Sequence, residues 1–237
     1  MEPAEQQTPF WSWKDILYAG VLAVPLFIAG AFVSALLIGA LPGVKPKAVE
    51  ILVPQFVGFT VVLIPLAFMF RVRYEQSLWR SVNFGIPRGE WHRSLASGVG
   101  LAVLVLALAA LLRPPPIRSP LQDLFDDPAS APYLAVAAVT LAPLFEELVF
   151  RGLLQPLLVR TAGAIAGVLL AALPFALLHG PEYAWSWRHV LMILIAGVGF
   201  GFKRLMTGST GAAAIMHSAY NAVNVTLYIF ARNLIDG

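Results

Sequence analysis

Two adjacent acids, Glu146 and Glu147, stand with Arg151 inside the otherwise apolar text LAPLFEELVFRGLLQPLL. A charge at the centre of a membrane helix costs at least about 2.5 kcal/mol, so ionisable groups there line cavities, pair, or do chemistry. Two further polar groups follow in apolar text: Phe175-x-x-x-His179 in FALLH and His217-x-x-x-Asn221 in HSAYN. Residues four apart share a helix face, so Glu147 can pair with Arg151, and His217 can point with Asn221. Glu146 is rotated by about 100° from Glu147, so the two acids are expected to have different partners.

Together these residue types read as water activation. Burial disfavours the charged form of a carboxylate and makes it a stronger proton acceptor. His179 can share the proton or hold the water, as general acid–base catalysis requires. His217 and Asn221 supply donors for a developing oxyanion on a peptide carbonyl. Glu146, His179 and His217 are alternatively a ligand set for zinc, whose catalytic sites commonly use three nitrogen or oxygen ligands and a water. No H-E-x-x-H helix is present, so that zinc-protease arrangement is absent.

The elements that must position these groups are membrane helices. Of 237 residues, 59% are hydrophobic and 12% charged, and mean hydropathy is +0.77. Soluble domains run nearer 25% charged. The chain has no cysteine, which excludes disulfides and thiolate metal sites. The net charge of +3 calls for no nucleic acid, because loop Lys and Arg set orientation and meet anionic headgroups. Crossing the hydrocarbon takes about 20 apolar residues. Seven segments are expected to span: Ile16–Leu41, Val49–Phe70, Leu95–Leu112, Pro132–Leu158, Ala162–His179, His189–Phe202 and Ser209–Ala231. None alternates as a barrel strand does, which leaves an all-α polytopic bundle. No repeat or linker divides the chain, so residues 1–237 are expected to form one membrane domain.

The N-terminus, MEPAEQQTPFWSWKD, lacks the positive region of a cleavable signal. Phe10, Trp11 and Trp13 are expected as interfacial anchors for the first span. The Arg71–Arg93 loop holds five arginines and two glutamates and is expected to include an interfacial helix. With the N-terminus inside, nine Lys or Arg fall on the inner side and six on the outer, which favours a cytoplasmic N-terminus. Helical rise puts Glu146 about 18 Å, His179 about 25 Å and His217 about 12 Å from the same face. Tilt, with interruptions at Pro143 and Pro174, would have to bring them to one level.

EELVFR, FALLH and HSAYN, in that order on successive membrane helices, resemble the CPBP family of CAAX proteases and bacteriocin-processing enzymes, also called Abi proteins. The likeness covers residues 140–225. It implies an intramembrane endopeptidase of the type II CAAX prenyl protease class, acting on a peptide or protein substrate whose C-terminus can be lipidated. By carry-over, Glu146 would activate water with His179. His217 and Asn221 would stabilise the oxyanion or help to hold a metal, and Glu147 and Arg151 would structure the site. Family members have been described both as zinc enzymes and as metal-free, and eight spans also occur.

Plainer readings stand beside these. Glu147–Arg151 can be a neutralised ion pair that only packs the bundle. Phe175 reads as cavity wall, His189 as a satisfied interhelical hydrogen bond, and His92 as solvated. GVGFGF, from Gly197 to Phe202, lacks the P-loop lysine pattern and reads as small-residue helix packing. Two rival functions are a small proton-coupled transporter and a non-catalytic immunity or scaffold protein. Against the transporter, no paired repeat halves are visible. The inner-facing side is the expected place of action.

Overall fold

The computed structural model describes residues 9–43 and 45–236, and every regular element among them is helical. The first eight residues of the stretch read as lacking a signal lie outside the described residues. In chain order the helices are α1 (Trp13–Ala40), α2 (Lys47–Tyr74), the short α3 (Leu78–Ser81), α4 (Glu90–Leu112) and α5 (Pro120–Asp126). They continue as α6 (Ala131–Ala162), α7 (Ala164–Leu178), α8 (Trp187–Thr207) and α9 (Thr210–Asp236). The sequence expectation of an all-α bundle holds.

Each of the seven segments read as spans is a helix. Five helices (α1, α2, α4, α6 and α8) are long and apolar enough to cross a membrane. The other two are the carriers of motif residues. α7 has only 15 residues, about 22 Å against about 30 Å of hydrocarbon. α9 has 27 residues, but His217, Asn221 and Asn224 lower its apolarity. Chemistry and membrane-spanning composition compete in the same helix.

α1 and α2 form a peripheral hairpin, crossing where Gly30 meets Gly58. α1 buries little beyond Asp15, Gly30 and Ser34, as expected of a lipid-facing helix. Its start is anchored inward. Trp11 is 1% exposed and donates Nε1–H to the Leu153 carbonyl at 3.1 Å. The expectation for Trp11 is therefore corrected: it plugs a core with Phe70, Leu78, Val82 and Leu157, and only Trp13 remains substantially exposed.

The inner bundle is α4, α6, α7, α8 and α9, around Leu101, Phe150, Phe175, Met192, Phe200 and Met216. α9 begins at a fixed place. Gly208, at φ +65°, turns the chain out of α8. Thr210 then donates N–H to the Asn83 carbonyl at 2.9 Å and its hydroxyl to the Val82 carbonyl at 2.6 Å. Gly98 lets α4 approach α9, since a Cβ there would stand 2.2 Å from the Met216 carbonyl oxygen, one residue before His217.

α6 is interrupted twice, with wider π-helical turns at Ala137–Leu141 and Leu148–Leu154 around a regular stretch that carries both acids. In the first, Ala142 N–H bonds the Ala137 carbonyl. The next carbonyl, Ala138, would take its bond from residue 143, which is proline and has no N–H.

Gly98→Ala is expected to destabilise the protein by about 1–3 kcal/mol through overpacking at the α4–α9 crossing. Gly100→Ala, where an added Cβ meets nothing within 4 Å, should be neutral or stabilising. Thermal unfolding in detergent compares them; equal melting would remove the close approach as a constraint.

Candidate active site

Arg151 and Glu147 are both completely buried, with Arg151 Nη1 3.0 Å from Glu147 Oε1. The guanidinium lies 4.4 Å from the Phe175 ring centroid, and Nη2–H donates to the Gly197 carbonyl at 2.8 Å. One turn on, Gln155 Nε2–H donates to the Gly201 carbonyl at 2.9 Å, giving two matched rungs between α6 and α8. A Cβ on Gly197 would stand 2.9 Å from Phe175 Cδ1, and one on Gly201 would stand 2.8 Å from Val168 Cγ1. The glycines of GVGFGF are thus places of close helix approach, as the small-residue reading expected.

Glu147 Oε1 also accepts from His217 Nδ1 at 3.0 Å. With the carboxylate accepting, Nδ1 carries the hydrogen and Nε2 faces the other way. Nε2 lies 3.8 Å from Glu146 Oε2. His217 is further fixed by stacking on Phe200, with ring centroids 4.2 Å apart. The two acids therefore separate as their helix angle requires. Glu147 faces Arg151, whereas the side chain of Glu146 is 30% exposed and lines a cavity of about 420 Å³.

His179 caps α7 and lines the same cavity. Its Nδ1–H donates to the Phe175 carbonyl at 2.8 Å, which leaves Nε2 of the neutral ring as the basic nitrogen. Asn221 Nδ2–H donates to the Ala138 carbonyl at 2.8 Å, filling the bond that Pro143 cannot supply. One of its two amide hydrogens remains. Glu146, His179, His217 and Asn221 thus share one cavity, with Phe175 in its wall, although rise alone put them at different depths.

The cavity is also lined by Leu121, Phe125, Glu182 and Tyr183, at the end of the bundle opposite the start of α1. The short α7 ends at His179 on that far side. The expectation for His189 is corrected. Its ring stacks on Tyr183 at 4.8 Å, and its buried Nδ1 has no hydrogen-bond partner among the described residues. His92 is exposed, as expected.

Glu182 is the lining residue missed from sequence. It sits in the 3₁₀ turn Gly180–Tyr183 that follows His179; the acid in HGPE was its signal. Burial pushes its carboxyl above the usual range, with Glu146 adding to the effect and His179 opposing it. Among the described residues, no group of three His, Asp or Glu side chains is arranged to hold a metal ion.

Because Glu182 is raised in the folded state, its favourable contribution is complete at low pH and is lost as pH rises through the folded value. Glu182→Gln is therefore expected to melt above the unmodified chain at neutral pH. The gap should close by about pH 4, where the carboxyl is protonated in both states. A gap independent of pH would refute this account of Glu182.

Residues 128–223 match the family described as type II CAAX prenyl endopeptidase, Rce1-like. No curated protein and no solved structure matches the chain. The matched stretch contains EELVFR, FALLH and HSAYN, in agreement with the resemblance read from those motifs, and it lies in an integral membrane protein of apolar helices. Residues 128–223, which carry all three motifs of the cavity, are thus similar to the Rce1-like type II CAAX prenyl endopeptidases.

Proposed function

We propose that this chain is a membrane endopeptidase that hydrolyses a peptide bond with a water activated by Glu146 and His179. The observation that carries the reading is the separation of the two acids: Arg151 holds Glu147, while Glu146 is turned into a cavity shared with His179 and His217. A water between Glu146 and the basic Nε2 of His179 gives up its proton as its oxygen bonds the peptide carbonyl carbon. The carbonyl π pair moves onto oxygen. The oxyanion is met by the remaining Asn221 N–H, with His217 beside it in the same cavity. When the pair returns, the C–N bond breaks and the held proton passes to the leaving amine.

Glu147 and Arg151 act here by orienting His217. The substrate class follows from the family description: a peptide or protein with a CAAX-type, prenylated C-terminus. No step above passes through a metal. The nine-to-six excess of Lys and Arg supports a cytoplasmic N-terminus, which would open the cavity toward the other face.

With purified protein and a farnesylated CAAX peptide, Glu146→Gln should reduce cleavage by about 10² or more while leaving helicity and melting intact. Cleavage at an unchanged rate in that variant would remove Glu146 from the mechanism. Activity that survives chelation and dialysis supports the metal-free step; loss restored by zinc would overturn it. For orientation, Lys47→Cys should label from outside intact cells and Arg88→Cys should not. The reverse pattern would invert the topology.

A further inference from the structure

At the end of the bundle opposite the cavity, α6, α8 and the segment before α1 enclose a second pocket of about 430 Å³. Its polar lining includes Arg204, Arg160, Gln155, Asn83 and Ser81, and among the described residues no Asp or Glu contributes. Arg160 is committed. It donates to the Pro9 carbonyl and, at 3.3 Å, to the Trp11 carbonyl, so it pins the chain that walls the pocket. Arg204 is not committed. Among the described residues it has no ion-pair partner, and its buried Nε has no hydrogen-bond acceptor.

An arginine presents five N–H donors in a fixed fork matched to carboxylate and phosphate oxygens. Holding that fork half-buried without a counter-charge is unfavourable. Arg151 shows the alternative: its Nε, like that of Arg204, has no acceptor among the described residues, but each of its terminal nitrogens has a partner. Arg204 lies three residues from the end of α8, about 4.5 Å along the axis, near one end of a helix about as long as the hydrocarbon is thick. The volume suits a headgroup, and Lys14, Arg71, Arg73, Arg80 and Lys203 crowd the same end of the bundle.

We propose that this pocket binds a phosphate group, carried by an anionic phospholipid headgroup, with Arg204 as its principal donor. The site is independent of the peptidase reaction proposed above. The test is lipid retention by native mass spectrometry, with melting of the delipidated full chain in detergent. Phosphatidylglycerol, phosphatidylcholine and inorganic phosphate are added separately to the wild type, Arg204→Met and Arg88→Gln.

Phosphatidylglycerol should bind and raise the melting midpoint. Arg204→Met should weaken this at least about tenfold, the loss of a hydrogen bond to a charged group, and Arg88→Gln should not. An Arg204-dependent response to inorganic phosphate alone would support the phosphate site and assign it a soluble ligand. Ligand responses equal in Arg204→Met and wild type, or equally lost in Arg88→Gln, overturn the proposal. The ligand-free variant gives a second reading. An arginine waiting for an anion is a cost, so Arg204→Met should melt at or above wild type. If it melts well below, Arg204 is structural and the site falls.

Discussion

Arg151 is completely buried, so its charge and its terminal N–H donors need partners within the protein. Glu147 supplies the charge from one turn earlier, and the Gly197 carbonyl supplies a second acceptor from α8. Breaking such a buried pair by removing one partner costs about 3–5 kcal/mol, so α6 and α8 are held in one register. Gln155 repeats the contact a turn later. Bare α-carbons at Gly197 and Gly201 let α7 pack close to α8 and leave room for the ends of the Arg151 and Gln155 side chains.

That pair also orders the polar residues around it. Glu147 spends the same oxygen on His217, so α9 is tied to α6 through a side chain that an apolar core has no reason to hold. Phe200 and Phe175 close on the imidazole and guanidinium as faces and edges. Glu146, one residue back, inherits a position in the cavity, with His217 Nε2 3.8 Å from its carboxylate. A packing ion pair and a site-orienting device are the same object here, and the choice posed by the sequence between them was too narrow.

Legibility from sequence followed how local each interaction was. Glu147–Arg151 and the shared face of His217 and Asn221 were readable because residues four apart lie on one side of a helix. The helical class was readable because composition leaves no other spanning structure. Common depth was not, since estimates from rise assume full-length straight spans, whereas α7 is 15 residues long and α6 has two π-helical interruptions. Trp11 was misread because an aromatic near a span start has the same sequence appearance whether it meets headgroups or turns inward to Leu153. Glu182 escaped attention because it lies outside the motif text, in a turn whose placement depends on where α7 ends.

The link between Pro143 and Asn221 has a consequence for inheritance. A proline deletes one hydrogen from α6, and an asparagine on α9 returns it to the Ala138 carbonyl. The two positions therefore carry a single piece of information split across the chain. Replacing proline alone restores the donor and makes that one asparagine hydrogen bond redundant; replacing asparagine alone strands a carbonyl. For this bond exchange is directional, with the proline the one that can change first, while the other amide hydrogen of Asn221 keeps its place in the cavity.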